Sequence, residues 1–249
     1  MFGARRRADE TEPFAALGAA SARMNNRQDL GTAKESVIAH LERRLNRTRL
    51  RPTHKSEEKF NIFRIRLEGV AAHGALRTEG VNPIGKLGRI WEALEALEAR
   101  RTDRFRLPLF REWEIPFPLM PGRVEAGIWP SSVPDALVLE GRYGVAVGES
   151  MDAARAEFEA AVAQAAAGDP WLREHPPRVE WWGAVFAPAA TPEDHPLVGL
   201  LSRAVEDATG KEPRVRGMPF GADMHLLVNQ GGMPTLMFGP GDIRRAHAP

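Results

Sequence analysis

Between residues 59 and 188, the spacing of apolar residues changes from two, as in a strand, to 3.6, as in a helix, and back again. Few folds are compatible with this order of elements. "FNIFRIRLEGV" alternates apolar and polar residues as a half-buried strand does. The helical spacing of "IGKLGRIWEALEALEARR" follows, and then two strand-like segments, "FPLMPGRVEAGIW" and "ALVLEGRYGV". A second helix, "SMDAARAEFEAAVAQAAAG", and a fourth strand, "PRVEWWGAVFAP", complete the run. The order β-α-β-β-α-β predicts a ferredoxin-like α+β domain, an antiparallel sheet backed by two helices.

Individual residues mark the ends and faces of these elements. Asn82 is placed to cap the first helix, Ser150 opens the second, and Gly168 closes it. Trp181 and Trp182 are adjacent in the last strand, so we expect one to face the core and the other to face away from it.

The pattern changes after residue 188. "LVGLLSRAVEDATG" predicts a helix, "PRVRGMPF" a short strand, "ADMHLLVNQGG" a helical turn, and "PTLMFGPG" a buried strand. This alternation is typical of a parallel α/β domain, and a single β-α-β unit cannot bury itself. We therefore divide the chain into a basic leader (1–58), the α+β domain (59–188) and an incomplete portion of an α/β domain (189–249).

Composition limits what such a chain can do. It contains no cysteine, so any metal site must use His, Asp and Glu. No apolar run is long enough to span a membrane, and the N-terminus lacks an apolar stretch of the signal-peptide type, so we expect a cytoplasmic protein with no membrane partner. Residues 1–58 carry 12 Lys and Arg against 8 Asp and Glu, with the two signs interspersed. We therefore expect no nucleic-acid partner.

Four motifs carry a resemblance to a known family: "LEGVAAHGALRTEGVNPIGKL", "EAGIWPSSVPDALVLEGRYGVAVGES", "PFGADMHLL" and "MFGPGDIRRAHAP". Their order resembles that of the zinc-dependent deacylases and aminopeptidases, which include acetylornithine deacetylase, succinyl-diaminopimelate desuccinylase and the aminoacylases. The resemblance covers about residues 60–249. It implies an α/β zinc-hydrolase catalytic domain interrupted by a β-α-β-β-α-β lid that forms homodimers. It also implies zinc or cobalt as cofactor, and hydrolysis of N-acyl amino acids or small peptides.

The resemblance makes His247, in the last motif, a zinc ligand. The other ligands of the family, an H-x-D motif, a bridging Asp and a Glu-Glu pair, precede the lid. The nearest matches here are "HLE" at His40 and the pair Glu57 and Glu58, which solvated polar positions explain better. We therefore expect a truncated chain that is inactive alone and binds no zinc tightly.

The resemblance also implies roles for four other residues. His73 would stabilise the oxyanion in the partner subunit's site, or it is a loop histidine. Arg142 would hold the substrate carboxylate, although a surface arginine on a strand explains it equally well. In "PFGAD", Gly221 would permit close backbone approach in the substrate pocket. Asp223 would orient a neighbour or cap the next helix.

Three positions depart from the family pattern. Ser131 and Ser132 stand where an Asn is common, and Val147 stands where a Pro is usual. These departures leave the substrate open.

Two functions compete for this chain. The first is a zinc-dependent amidohydrolase subunit, in which a metal-bound water attacks an amide carbonyl. The alternative is a non-catalytic dimerisation or binding module that has kept the lid and lost the metal centre. The absence of the carboxylate ligands separates the two, and it favours a fragment of the enzyme.

Overall fold

The computed structural model describes residues 61–183 and 186–238. The leader, which contains His40, Glu57 and Glu58, lies outside these ranges, as does His247. Two compact units divide the described residues: one is Val198–Pro213, and the other comprises 61–197 and 214–238. Each unit is described by itself.

The described part of the chain forms six strands, in chain order: β1 (Ile62–Glu68), β2 (Ala72–His73), β3 (Leu119–Ala126), β4 (Ser132–Val133), β5 (Ala136–Tyr143) and β6 (Arg178–Trp182). Four of them make one sheet in the order β3-β5-β1-β6, in which all neighbours are antiparallel. The short strands β2 and β4 pair separately. β1 is therefore one of the two inner strands, and it pairs with β5 on one side and β6 on the other.

Within the described residues, four α-helices accompany the strands: α1 (Ile84–Arg104), α2 (Met151–Ala167), α3 (Pro170–Glu174) and α4 (Pro196–Thr209). Two 3₁₀ helices span Gly74–Glu79 and Pro108–Phe110, and a π-helical turn spans Leu226–Gln230. The elements of the main sheet and its two long helices follow the order β1-α1-β3-β5-α2-β6. The predicted β-α-β-β-α-β order and the fold class are therefore confirmed.

The local predictions for the helix ends and the tryptophan pair are also confirmed. The Asn82 side chain accepts a hydrogen bond of 3.0 Å from the first backbone N–H of α1. Ser150 caps α2 at its start, and Gly168 ends it. Trp181 packs against the core, while Trp182 is exposed on the other face of the sheet.

One face of the sheet is apolar because β1 alternates. Phe63, Ile65 and Leu67 are buried, and the residues between them are more exposed and polar. The two long helices cover this face and complete a single core. Other fully buried members come from α1, β5, α2 and α3 and include Ile90, Leu94, Leu97, Leu137, Leu139, Phe158 and Leu172. Burial of such side chains contributes about 1.5–3 kcal/mol each, so this layer is the main source of stability.

The other face of the sheet carries a ladder of ion pairs across all four strands. Glu140 is bound by Arg123 at 2.8 Å and by Arg64 at 2.6 Å, and Glu180 by Arg66 at 2.9 Å. Hydrogen bonds from Arg123 and Arg64 outweigh the effect of burial and hold the pKa of Glu140 below its ordinary value. This face is therefore stabilised by charge pairing between neighbouring strands rather than by a second apolar layer.

A buried arginine ties α1 to the start of α2. Arg101 is 1% exposed, and its guanidinium binds Glu149 at 2.7 Å and Glu157 at 2.9 Å. It also donates to the Gly144 carbonyl at 3.1 Å and lies 4.7 Å above the centre of the Tyr143 ring. Burial alone would raise the pKa of Glu157, but hydrogen bonds from two arginines outweigh it and lower that pKa.

The two strands predicted after residue 211 do not form in the described residues, so these predictions were wrong. In the first segment, the Gly217 N–H donates to the Leu109 carbonyl at 2.7 Å, and Trp113 donates to the Gly217 carbonyl at 2.9 Å. In the second, both backbone groups of Thr235 bond to the Thr191 hydroxyl, at 3.0 and 2.7 Å. These backbone groups find partners in loops and side chains, which replace the neighbouring strand that a sheet requires.

We predict that Arg101→Leu lowers the free energy of unfolding by about 3–5 kcal/mol, because it leaves the Glu149 carboxylate, whose side chain is 9% exposed, without its cation. Urea denaturation of the full chain measures the change. Arg104→Leu is the matched control, since Arg104 also binds Glu157 but is half-exposed. It should cost no more than about 1 kcal/mol. Equal losses in the two variants would contradict the role given to Arg101.

Candidate active site

His73 is held at one end of the domain by a short ladder. It lies opposite Ser132 in the β2–β4 pair, and the next residue, Gly74, donates its N–H to the Ser131 carbonyl at 2.8 Å. A Cβ added at Gly74 would lie 2.7 Å from that carbonyl oxygen, so only glycine fits between the two loops. The position of His73 therefore depends on backbone contacts between loops that are distant in sequence.

The same arrangement sets which nitrogen of the neutral His73 ring carries the proton. The Ala75 N–H, at the start of the first 3₁₀ helix, donates to His73 Nδ1 at 3.2 Å. A neutral imidazole whose Nδ1 accepts a hydrogen bond carries its proton on Nε2. The side chain is exposed, and Nε2 has no hydrogen-bond partner among the residues that the structure describes. His73 therefore presents one N–H donor to the outside of the domain.

Arg142 lies on β5, on the face that carries the ion-pair ladder. Its Nη2 donates to the Pro219 carbonyl at 3.0 Å. The residue is exposed as a whole, yet the protein around the guanidinium removes enough water to lower its pKa; it stays charged at neutral pH. Within residues 61–183 and 186–238 no carboxylate pairs with it, so most of its donors are available to an anion.

The loop that follows Pro219 is packed against an aromatic ring. A Cβ added at Gly221 would lie 2.5 Å from the Phe186 ring, which gives this glycine a structural reason in the fold itself. His225 meets the same ring edge-on at 5.2 Å, and its Nδ1 lies 2.9 Å from the Ala222 carbonyl oxygen. Asp223 is exposed, and no side chain caps the π-helical turn that follows, so the capping role suggested for Asp223 is not observed.

The structure therefore brings some of the candidate residues together. Arg142 meets the loop that carries Gly221 and Asp223 through the Pro219 carbonyl. Within the described residues, no hydrogen bond or ion pair joins His73 to Arg142 or to this loop.

In the sequence, Ser132 is notable only because it stands where the family commonly has an Asn. The structure places it directly opposite His73, and its hydroxyl donates to the Trp129 carbonyl at 2.9 Å. The two strands that bring Ser132 and His73 together have only two residues each, and a segment that short has no recognisable pattern in the sequence.

Among the described residues, no group of three or more His, Asp and Glu side chains converges as a metal site would require. These residues therefore do not fit the zinc or cobalt that the resemblance implies. In the same part of the chain, no helix is both long and apolar enough to cross a membrane.

The lid has the architecture of a known domain class. Residues 60–170 match the family model described as peptidase dimerisation domain, which covers the sheet up to β5 and both long helices. The match concerns this domain and covers less than half of the chain.

The chain is also similar to curated relatives. The chain is 27% identical over 187 residues to the N-formyl-4-amino-5-aminomethyl-2-methylpyrimidine deformylase of Halalkalibacterium halodurans, which covers 68% of this chain and 41% of that protein. It is 28% identical over 194 residues to the uncharacterized protein YgeY of Escherichia coli, covering 75% of this chain and 46% of that protein. The chain thus spans less than half the length of these relatives.

One solved structure with a similar fold is a hydantoinase/carbamoylase family amidase from Burkholderia ambifaria. It is 18% identical, with a TM-score of 0.45, and the match covers 70% of this chain and 38% of that one.

We predict that Gly74→Ala detaches the His73 loop from the Ser131 loop, because the added Cβ would collide with the Ser131 carbonyl. Amide hydrogen exchange at position 74 should accelerate by about tenfold or more, the equivalent of about 1.4 kcal/mol, while exchange in β1 is unchanged. Gly88→Ala on α1 is the control, since a Cβ there meets nothing within 4 Å. It should stabilise the chain by about 1 kcal/mol. Unchanged exchange at position 74 would contradict the steric argument.

Proposed function

We propose that this chain carries the lid and the substrate-contacting elements of a metal-dependent amidohydrolase that cleaves N-acyl amino acids or small peptides. The observation that carries the proposal is the outward N–H of His73, set by the hydrogen bond from Ala75 to its Nδ1. The match of residues 60–170 to a peptidase dimerisation domain supports it, as do the amide-hydrolysing relatives.

The chemistry that His73 performs in this proposal is stabilisation of negative charge. When the oxygen of water adds to the amide carbonyl carbon, the carbonyl electron pair moves to its oxygen. The Nε2–H donates to that oxyanion in the partner subunit's site. The tetrahedral species then expels the amine, which leaves with a proton, and the acyl group departs as a carboxylate. A donor aimed at such an oxyanion contributes about a hundredfold or more to the rate.

The remaining assignments concern the substrate and the metal. Arg142 binds the substrate carboxylate with the donors that Pro219 leaves available, because a planar guanidinium matches a carboxylate. Gly221 and Asp223 line the same pocket. We assign His247 as a zinc or cobalt ligand; it lies outside the described residues. The steps above therefore involve only His73 and Arg142.

A homodimer is part of the proposal because His73 acts in the partner subunit's site. β3 is an edge strand of the sheet, and two of its side chains, Met120 and Val124, are about half exposed. Helix α1 lies beside this edge, where Glu98 accepts the Leu119 N–H at 2.7 Å. Two lids joined along β3 by a two-fold axis would extend the sheet and cover these groups.

The alternative function, a non-catalytic dimerisation or binding module, is favoured by one observation. The family model that matches is that of the dimerisation domain itself, over residues 60–170. The activity measurements below distinguish the two functions.

We predict a dimer of the full chain at tens of micromolar in sedimentation experiments. Val124→Lys should raise the dissociation constant by tenfold or more, because a lysine on an edge strand opposes strand pairing. Trp182→Lys is the control, since Trp182 lies on β6 at the opposite edge of the sheet. A strict monomer, or dissociation caused only by the control substitution, would refute the β3 interface.

We predict that the lid is functional once it is joined to a complete catalytic domain. Residues 59–249 are fused between the N-terminal and C-terminal segments of the Halalkalibacterium halodurans relative. With zinc or cobalt, the chimera should hydrolyse N-acyl amino acids, and His73→Ala should lower kcat by about a hundredfold. His175→Ala is the control. An inactive chimera that binds metal and dimerises would favour the non-catalytic alternative.

Mixing the variants tests whether His73 acts across the dimer. His247→Ala should impair metal retention, whereas His73→Ala should not. If each site takes one histidine from each subunit, mixed dimers rebuild one intact site, and part of the lost activity returns. No recovery, despite demonstrated subunit exchange, would leave His73 a loop histidine.

A further inference from the structure

Apolar side chains are exposed beside His73. Leu76 is 52% exposed and Trp129 is 67% exposed, and Ile128 is fully exposed. We call these three side chains the apolar rim. Leaving such groups in water forgoes the favourable free energy of their burial, and none of the three belongs to a buried apolar cluster of the described residues.

The rim is held in place by hydrogen bonds even though its side chains are exposed. The N–H and the hydroxyl of Ser132 both donate to the Trp129 carbonyl, at 3.2 and 2.9 Å, which closes a tight turn. Ser132 is the residue opposite His73, so the turn is fastened directly to the ladder that holds the histidine. Leu76 lies in the 3₁₀ helix that His73 caps. Both halves of the rim therefore keep a defined position relative to the His73 ring.

The size of the rim indicates what it contacts. Stable protein interfaces use about 20–30 residues a side, far more than three. Small-molecule sites instead combine a few apolar side chains with a small number of placed polar groups, which matches a rim beside one N–H donor. We infer that the apolar rim contacts an apolar side chain of the substrate, so that N-acyl derivatives of apolar amino acids are the preferred substrate class. This inference rests on the proposed function.

A charged side chain would be disfavoured at the rim because it would lose water against Trp129 and Ile128 without gaining a partner. Arg77, on the same 3₁₀ helix, has the opposite effect, since its positive charge would attract an acidic substituent. Differences of this kind in an apolar site are worth about tenfold to two-hundredfold in selectivity.

The test uses the full chain labelled with 5-fluorotryptophan and followed by fluorine NMR. Trp129→Phe identifies the Trp129 resonance by its disappearance. N-acetyl-leucine should shift that resonance saturably, and at least tenfold higher concentrations of N-acetyl-aspartate should be needed for the same effect. Trp91 and Trp182, which are also partly exposed, are internal controls whose resonances should not move. Leu76→Ser should weaken the response to N-acetyl-leucine.

The outcomes separate this inference from the proposed function. Selective binding at Trp129 by a protein that hydrolyses neither ligand, even as the chimera, would retain the rim and refute the hydrolase. Hydrolysis of both ligands at equal rates, unchanged by Trp129→Ser, would refute the rim and retain the hydrolase. A stronger shift with N-acetyl-aspartate would show that Arg77 governs the site, and would overturn the inference. No shift and no hydrolysis would refute both.

Discussion

The fold depends on the position of β1 as an inner strand of the sheet. Its backbone pairs with β5 along its whole length and with β6 from Ile62 to Arg66, so both neighbours are joined through it. Its side chains satisfy two different environments at once. Phe63 and Ile65 enter the core beneath the helices, while Arg64 binds carboxylates of both adjacent strands. A shift of one residue in its pairing would bury the arginines and expose the core.

Charge pairing also explains how the domain accommodates a buried cation, Arg101. A buried guanidinium is tolerated when its charge is matched, and Arg101 has two carboxylates, a carbonyl and an aromatic ring as neighbours. These partners come from the end of β5, the following loop and α2. Arg101 thereby connects the last turn of α1 to the segment that reverses the chain between sheet and helix.

The proposed site is built differently from the core. His73 and the apolar rim lie outside the main sheet, and their positions come from backbone hydrogen bonds between residues near 74 and residues near 131. These segments lie outside the packed layers, where side chains remain accessible to a ligand. Arg142 is the exception, since it projects from β5 and reaches the loop at Pro219. A rigid sheet and two fastened loops thus present a histidine donor, an arginine and an apolar surface.

The sequence by itself determined the order of the elements, the face of β1 that is buried, the helix caps at Asn82 and Ser150, and the opposite directions of Trp181 and Trp182. These features follow from periodicity and local hydrogen bonding, which act over a few residues. Only the tertiary structure decided what depends on distant partners. It gave Arg101 its carboxylates, set Ser132 opposite His73, and turned the segments at Gly217 and Thr235 from predicted strands into loops. A β-strand forms only where a neighbouring strand can pair with its backbone N–H and C=O groups. The residue pattern within one segment does not show whether such a neighbour is present.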